Sequence, residues 1–235
     1  MVYNYTRWLH TLLFPLQCRL CDAAVGAGLN LCAACRKELP WLGVHCARCA
    51  CPLPAADPEM HCGRCQRRPP AFDAATALFH YRPPVDHLIK RLKYSHELGL
   101  GPLLAGLLAQ RLATRHTPLP GLLIPVPLHR SRLRERGFNQ ATELARCLGR
   151  ALDIRHDPWL CTRHRNTRPQ SQLPVTARRI NLRNAFSVTG TLPAAHVAIV
   201  DDVLTSGHTS DELARTLKRA GAEYVEVWVI ARAGR

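Results

Sequence analysis

Eight of the eleven cysteines fall into four C-x-x-C pairs: Cys18/Cys21, Cys32/Cys35, Cys46/Cys49 and Cys62/Cys65. Two residues between thiols let one turn of backbone present both sulfurs to a single ion, and two such pairs complete a tetrahedral four-thiolate site with no open position. The spacing therefore predicts two structural zinc ions that do folding work and no chemistry. Sequential pairing would leave 10 and 12 residues between partners, both near zinc-ribbon lengths, while interleaved pairing stays open. Cys51, His45 and His61 lie beside these ligands and are alternative donors. Disulfides fit less well, because the stretch Trp8–Phe14 is too short and broken to read as a secretory signal.

A second stretch carries different chemistry. Asp201 and Asp202 directly follow the β-branched run Val197-Ala-Ile-Val200, and Thr205, Ser206, Gly207, His208 and Thr209 come next. Adjacent acids at the end of a buried strand suffer desolvation and mutual repulsion, so they call for a countercharge or hydroxyl donors. The turn after them gathers hydroxyls, backbone N–H groups and a helix start at one spot, which suits a phosphate. A capping box between Thr209 and Glu212 would explain Thr209 alone and leaves the acid pair without a reason.

Charge points the same way. Lys and Arg number 32 against 17 Asp and Glu, a net charge of +15, which favours polyanions: nucleic acid, nucleotides or other phosphates. Residues 120–184 alone hold 13 basic and 4 acidic groups. The excess of Arg over Lys is equally explained by genomic base bias. A hydrophobic fraction of 47% over 235 residues excludes intrinsic disorder, and no apolar run is long enough to span a bilayer, so a cytoplasmic location is expected.

The elements that must position these residues can be read from periodicity. Residues 1–17 read as an N-terminal helical segment, 18–68 as a double zinc-ribbon module, and 71–235 as one α/β domain entered past the Pro69-Pro70 linker. Within it, 74–81, 122–127, 197–200 and 224–231 read as strands and 84–93, 99–114, 138–151 and 209–220 as helices, with a basic loop between the strand 122–127 and the helix 138–151. Residues 155–183 lack periodicity and read as a long, functional loop. In open α/β sheets ligands bind at the carboxyl ends of strands, where the acid pair falls.

The stretch Val197–Thr209 resembles the phosphoribosyl-pyrophosphate (PRPP) motif of type I phosphoribosyltransferases. With the four knuckles, Leu92-Lys-Tyr94, Pro125-Val-Pro127, Arg134-Glu-Arg-Gly-Phe-Asn-Gln140, Arg168-Pro-Gln170 and the segment Arg179–Phe186, nearly the whole chain resembles the ComF family, close to its GntX-like members. The resemblance implies a mainly parallel type I phosphoribosyltransferase-like sheet flanked by helices, behind a small Cys-rich zinc-ribbon module. It implies that Asp201 and Asp202 hold ribose hydroxyls while Thr205, Ser206, Gly207, His208 and Thr209 wrap the 5′-phosphate of PRPP bound with magnesium. Ser206 stands where that motif usually has a threonine, and keeps the hydroxyl. Arg134 and Arg136 are the implied pyrophosphate contacts, and Arg165, Arg168 and Arg179 belong to an implied lid. The reaction would be displacement of Mg·pyrophosphate at C1, with no acceptor readable from the chain.

The resemblance also implies a role in DNA uptake beside competence-machinery proteins. On the competing reading the protein is a non-catalytic module that handles single-stranded DNA with its Arg-rich face and binds PRPP without turnover.

Overall fold

A computed structural model describes residues 16–26, 28–54, 61–165 and 184–234. Residues 1–15 of the N-terminal segment, Arg168 and Arg179 lie outside these residues; the last two residues of that segment, Leu16 and Gln17, form a strand and not a helix. The Cys-rich part is made of small pieces: the antiparallel pair β1 (Leu16–Gln17) and β2 (Ala24–Val25), and two single-turn helices, α1 (Ala33–Lys37) and α2 (Gly63–Arg67). Each of these helices starts directly after a cysteine, Cys32 and Cys62, which serves as its N-cap residue.

The remainder runs β3 (Ala74–His80), α3 (Val85–Tyr94), α4 (Leu100–Ala113), β4 (Leu122–Pro125), α5 (Arg130–Arg136), α6 (Gln140–Leu152), β5 (Cys161–Arg163), β6 (Phe186–Val188), β7 (His196–Leu204), α7 (His208–Arg219) and β8 (Tyr224–Arg232). Four strands form a sheet in the order β3-β8-β7-β4, and every pairing is parallel. Parallel neighbours require crossover connections: α7 joins β7 to its neighbour β8, while α3 and α4 carry the chain from β3 at one edge of the sheet to β4 at the other.

The central strands are apolar in both directions because both faces are covered. Ile199, Val225, Val227 and Val229 pack on one face with Leu213 and Leu217 of α7 and with the β5–β6 hairpin. Ala198, Val200, Trp228 and Ile230 pack on the other with α3, α4 and α6. The outer edge of β3 is covered by the Cys-rich part: Leu42 N–H donates to Leu78 O, His80 N–H to Pro40 O, and Ala75 N–H to Ala47 O. An exposed strand edge is thereby blunted.

Three expectations need correction. β7 does not stop at Val200; it continues to Leu204, with Asp201 paired to Val229, so both acids lie inside the strand. The basic stretch after Val126 contains a helix, α5, closed by Gly137 in the left-handed region. Residues 155–165 are not loop throughout: Arg155 and Asp157 hydrogen-bond along Leu123 of β4, and β5 pairs antiparallel with β6. Strands of three residues carry too little periodicity to be read, and the partner of β5 lies more than 20 residues further on.

Candidate functional site

The carboxyl ends of β4 and β7 open into a cleft of about 230 Å³. Alternation along β7 sends the two acids to opposite faces of the sheet. Asp202 shares its face with Ala198 and Val200 and turns toward α3 and α6, where Lys93 and Gln140 meet it. Lys93 forms an ion pair with Asp202 Oδ2, and Gln140 Nε2 donates to Asp202 Oδ1 at 3.3 Å. Asp201 shares its face with Ile199, and its Oδ1 accepts from the Asp202 N–H at 2.9 Å.

Electrostatics separate the two carboxyls. Enclosure and the neighbouring Asp202 push the Asp201 carboxyl well above the usual carboxylate range. Burial pushes Asp202 the same way, but the Lys93 ammonium outweighs it and holds that carboxyl below its ordinary value. Lys93 is likewise disfavoured as a cation by burial, and Asp202 keeps it above the ordinary lysine range. The two carboxyls are thus shifted in opposite directions, Asp202 toward its charged form by Lys93 and Asp201 toward its neutral form by burial and by Asp202.

Cations ring the rest of the cleft. Arg132 and Arg136 of α5 and Arg163 of β5 line it with Lys93 and Tyr94. Arg136 donates to Gln140 Oε1 at 2.7 Å and lies 5.2 Å from the centre of the Tyr94 ring. Burial, with Arg132 nearby, draws the Arg163 guanidinium down to about 10, so an anion arriving here would meet a poorly solvated cation. The loop from β4 is fastened by Asn139, whose Nδ2 donates to Val126 O at 3.0 Å while its Oδ1 caps α6 at the Ala141 N–H.

The turn after β7 leads into α7 through Gly207, at φ 80° in the left-handed region that glycine enters without strain. Thr205 and Thr209 line the cleft, whereas Ser206 and Gly207 face a second, much smaller recess beside Cys49, Arg64 and Phe72. The capping-box alternative is not what forms: Gly207 is the N-cap residue, and Glu212 accepts from the Asn184 N–H.

Of the arginines singled out in the sequence, Arg136 lies on the cleft, while Arg134 and Arg165 are exposed and outside its lining. Helix phase accounts for Arg134: Arg132 and Arg136, four residues apart, share one face of α5, and Arg134 projects from another. Sequence reasoning missed Lys93, Gln140, Arg132 and Arg163 as cleft residues. The i, i+4 spacing of Arg132 and Arg136 was the one signal that could have found one of the four, Arg132.

The cysteines form two sequential quartets, Cys18/Cys21/Cys32/Cys35 and Cys46/Cys49/Cys62/Cys65, with the four sulfurs of each within 4.8 Å of one another. A tetrahedron of metal–sulfur bonds of about 2.3 Å has sulfur–sulfur edges of about 3.8 Å. The Cys21–Cys32 and Cys49–Cys62 contacts, at 3.7 and 3.6 Å, match those edges. Within each quartet one thiol is shifted toward the thiolate and others away from it: burial opposes ionisation of Cys18, yet backbone amides of Cys32, Leu20 and Cys21 draw it down to about 6, while neighbouring Cys21 and Cys32 push Cys35 up. The two sites fit two structural zinc ions. Cys51 stays out of both quartets, and His45 faces Gly43 O.

Residues 9–66 match the model of the double zinc ribbon domain. Competence protein F of Haemophilus influenzae is 36% identical over 230 residues, covering 94% of this chain and 98% of that protein. DNA utilization protein YhgH of Escherichia coli K12 is 35% identical over 226 residues, covering 94% and 99%. Among solved structures there is a partial likeness to a glutamine PRPP amidotransferase from B. subtilis, 19% identical over 55% of this chain and 26% of that one, with a TM-score of 0.37.

Proposed function

Because the chain belongs to the ComF family, we propose that the cleft at the ends of β4 and β7 is a binding site for Mg·PRPP, in a protein that serves DNA uptake. The observation that carries this reading is the meeting of the acid pair, the glycine-opened start of α7 and four cationic side chains around one cleft. In this reading Asp201 and Asp202 accept from the ribose hydroxyls, and the turn Thr205, Ser206, Gly207, His208 and Thr209 takes the 5′-phosphate on amides and hydroxyls. Magnesium arrives with the substrate and offsets charge on its pyrophosphate. Arg132, Arg136 and Arg163 face that pyrophosphate, and Lys93 holds Asp202 ionised until the ribose replaces Gln140 as donor.

Any turnover is positioning and electrostatics: the C1–O bond to pyrophosphate breaks, an acceptor forms the new bond at C1, and the arginines stabilise the departing charge. Thermal unfolding followed with and without Mg·PRPP tests the site. The wild-type midpoint should rise with ligand concentration, and that of Asp201→Asn/Asp202→Asn should not. No rise for the wild type would reject the reading.

The exposed positions of Arg134 and Arg165, away from the cleft lining, favour a second role for the basic segment. In that role it binds single-stranded DNA beside the PRPP site. Affinity for a labelled oligonucleotide would then fall steeply with salt, weaken in Arg134→Ala/Arg165→Ala, and ignore the Asp201→Asn/Asp202→Asn change.

A further inference from the structure

The turn that leaves β7 is gripped from behind by the second cysteine quartet. Arg64 stands between two of its thiols, Cys62 and Cys65, and its Nη2 donates to Ser206 O at 2.8 Å. Arg232, at the end of β8 and only 7% exposed, donates from Nη1 to Leu204 O at 2.8 Å and to Thr205 O at 2.6 Å. Its Nε donates to the carbonyl of Cys49, a third thiol of the same quartet, at 3.1 Å. Three consecutive carbonyls, 204, 205 and 206, are therefore held by two guanidinium groups. One is carried by the quartet and the other is fastened to it.

This grip has a directional consequence. In a trans peptide the C=O and the following N–H point in opposite directions, and the cis bond of the described chain lies elsewhere, at Pro83-Pro84. Holding the carbonyls of Leu204, Thr205 and Ser206 toward the quartet turns the amides of Thr205, Ser206 and Gly207 away from it. A charged donor on each carbonyl also polarises its peptide, which strengthens the N–H at the other end as a donor. Gly207, at φ 80°, supplies the freedom the chain needs to leave this arrangement into α7.

We propose that Arg64 and Arg232 are positioning residues that couple the metal state of the second four-cysteine site to the anion affinity of the turn. Loss of metal would release Arg64 and the Cys49 carbonyl, let the Thr205 and Ser206 carbonyls rotate while Ala233 N–H keeps that of Leu204, and weaken phosphate binding. Among the described residues the first quartet shows no such link: its neighbour Arg36 bonds instead to Gln110 of α4. The proposal rests on the phosphate reading of the turn for its functional consequence, but the coupling itself can be measured without ligand.

The test uses Arg64→Ala, chosen because Arg64 is exposed and its removal leaves the core and all eight thiols intact. Arg36→Ala is the control. Amide hydrogen exchange at Gly207, whose peptide carries the Ser206 carbonyl that Arg64 holds, should quicken about tenfold or more in the ligand-free, zinc-loaded Arg64→Ala protein, the loss of one charged hydrogen bond. Exchange there should not change in Arg36→Ala, and both variants should keep two zinc ions per chain. Stripping metal with a chelator should quicken Gly207 in the wild type and add little at Gly207 in Arg64→Ala. The Mg·PRPP affinity should fall about tenfold in Arg64→Ala and partly recover in Arg64→Lys. Unchanged exchange in Arg64→Ala would overturn the coupling. Quickened exchange in a wild-type background that binds no PRPP would uphold it and reject the ligand reading instead.

Discussion

Lys93 is the side chain on which the charge state of the cleft turns. It is 20% exposed and faces an Asp202 that is 4% exposed, so neither charge is solvated well enough to stand alone. Removing one partner of such a pair leaves an uncompensated buried charge, which costs about 3–5 kcal/mol. Lys93→Ala is accordingly expected to lower stability in urea by about 3 kcal/mol, and Lys93→Met/Asp202→Asn by clearly less. Equal losses in the two variants would mean that the pair carries no coupling. At this scale the cysteines and the acid pair were legible, because spacing of two residues and adjacency are local. The partnership of Lys93 with Asp202 was not, since it joins residues more than a hundred positions apart through the packing of α3 on β7. Nor did the sequence show which arginines reach the cleft, a matter of the helical phase of α5 and of the short strand β5.

At the scale of elements, α6 shows how tightly the cleft wall is built. It begins at the Asn139 cap that also holds Val126 and ends where Gly149 O accepts from Ile154 N–H at 2.9 Å. A Cβ at Gly149 would lie 2.5 Å from Ile154 O, a backbone atom that cannot step aside without moving the link to β4. Gly149→Ala should therefore destabilise the protein by about 1–3 kcal/mol, the range for overpacking, although alanine is the better helix former. A gain in the unfolding midpoint would contradict the close approach. The long amphipathic helices and the four sheet strands could be placed from periodicity. The carboxyl end of β7 could not, because two acids interrupt an apolar pattern that the pairing with β8 carries onward. The single-turn pieces around the quartets had no periodicity at all, and cysteine spacing alone located them.

For the molecule as a whole, the sheet is locked at the end away from the cleft by a buried charge cluster. Glu226, 2% exposed, accepts from Arg115 Nη1 and Nη2 at 2.8 and 2.6 Å and from the Trp228 indole N–H at 2.7 Å, and lies 2.9 Å from His196 Nε2. Burial favours the neutral acid, but these donors outweigh it and hold the carboxyl below its ordinary value. A depressed folded-state pKa stabilises the fold above the unfolded value of about 4.3 and loses that contribution as pH falls through the folded value. Glu226→Gln should thus be less stable than the wild type at neutral pH and should lose less on acidification below about pH 4; parallel acid curves would contradict this. Among the described residues no helix is long and apolar enough to cross a membrane. The Cys-rich part covers the edge of β3, and Arg64 and Arg232 tie its second quartet to the turn at the cleft. That the site takes PRPP is the central claim, and titration calorimetry of the zinc-loaded protein with Mg·PRPP tests it most directly. Saturable binding at roughly micromolar concentration, lost in a folded Asp201→Asn/Asp202→Asn variant, is the predicted result; no heat from the wild type, or equal binding by the variant, would contradict it.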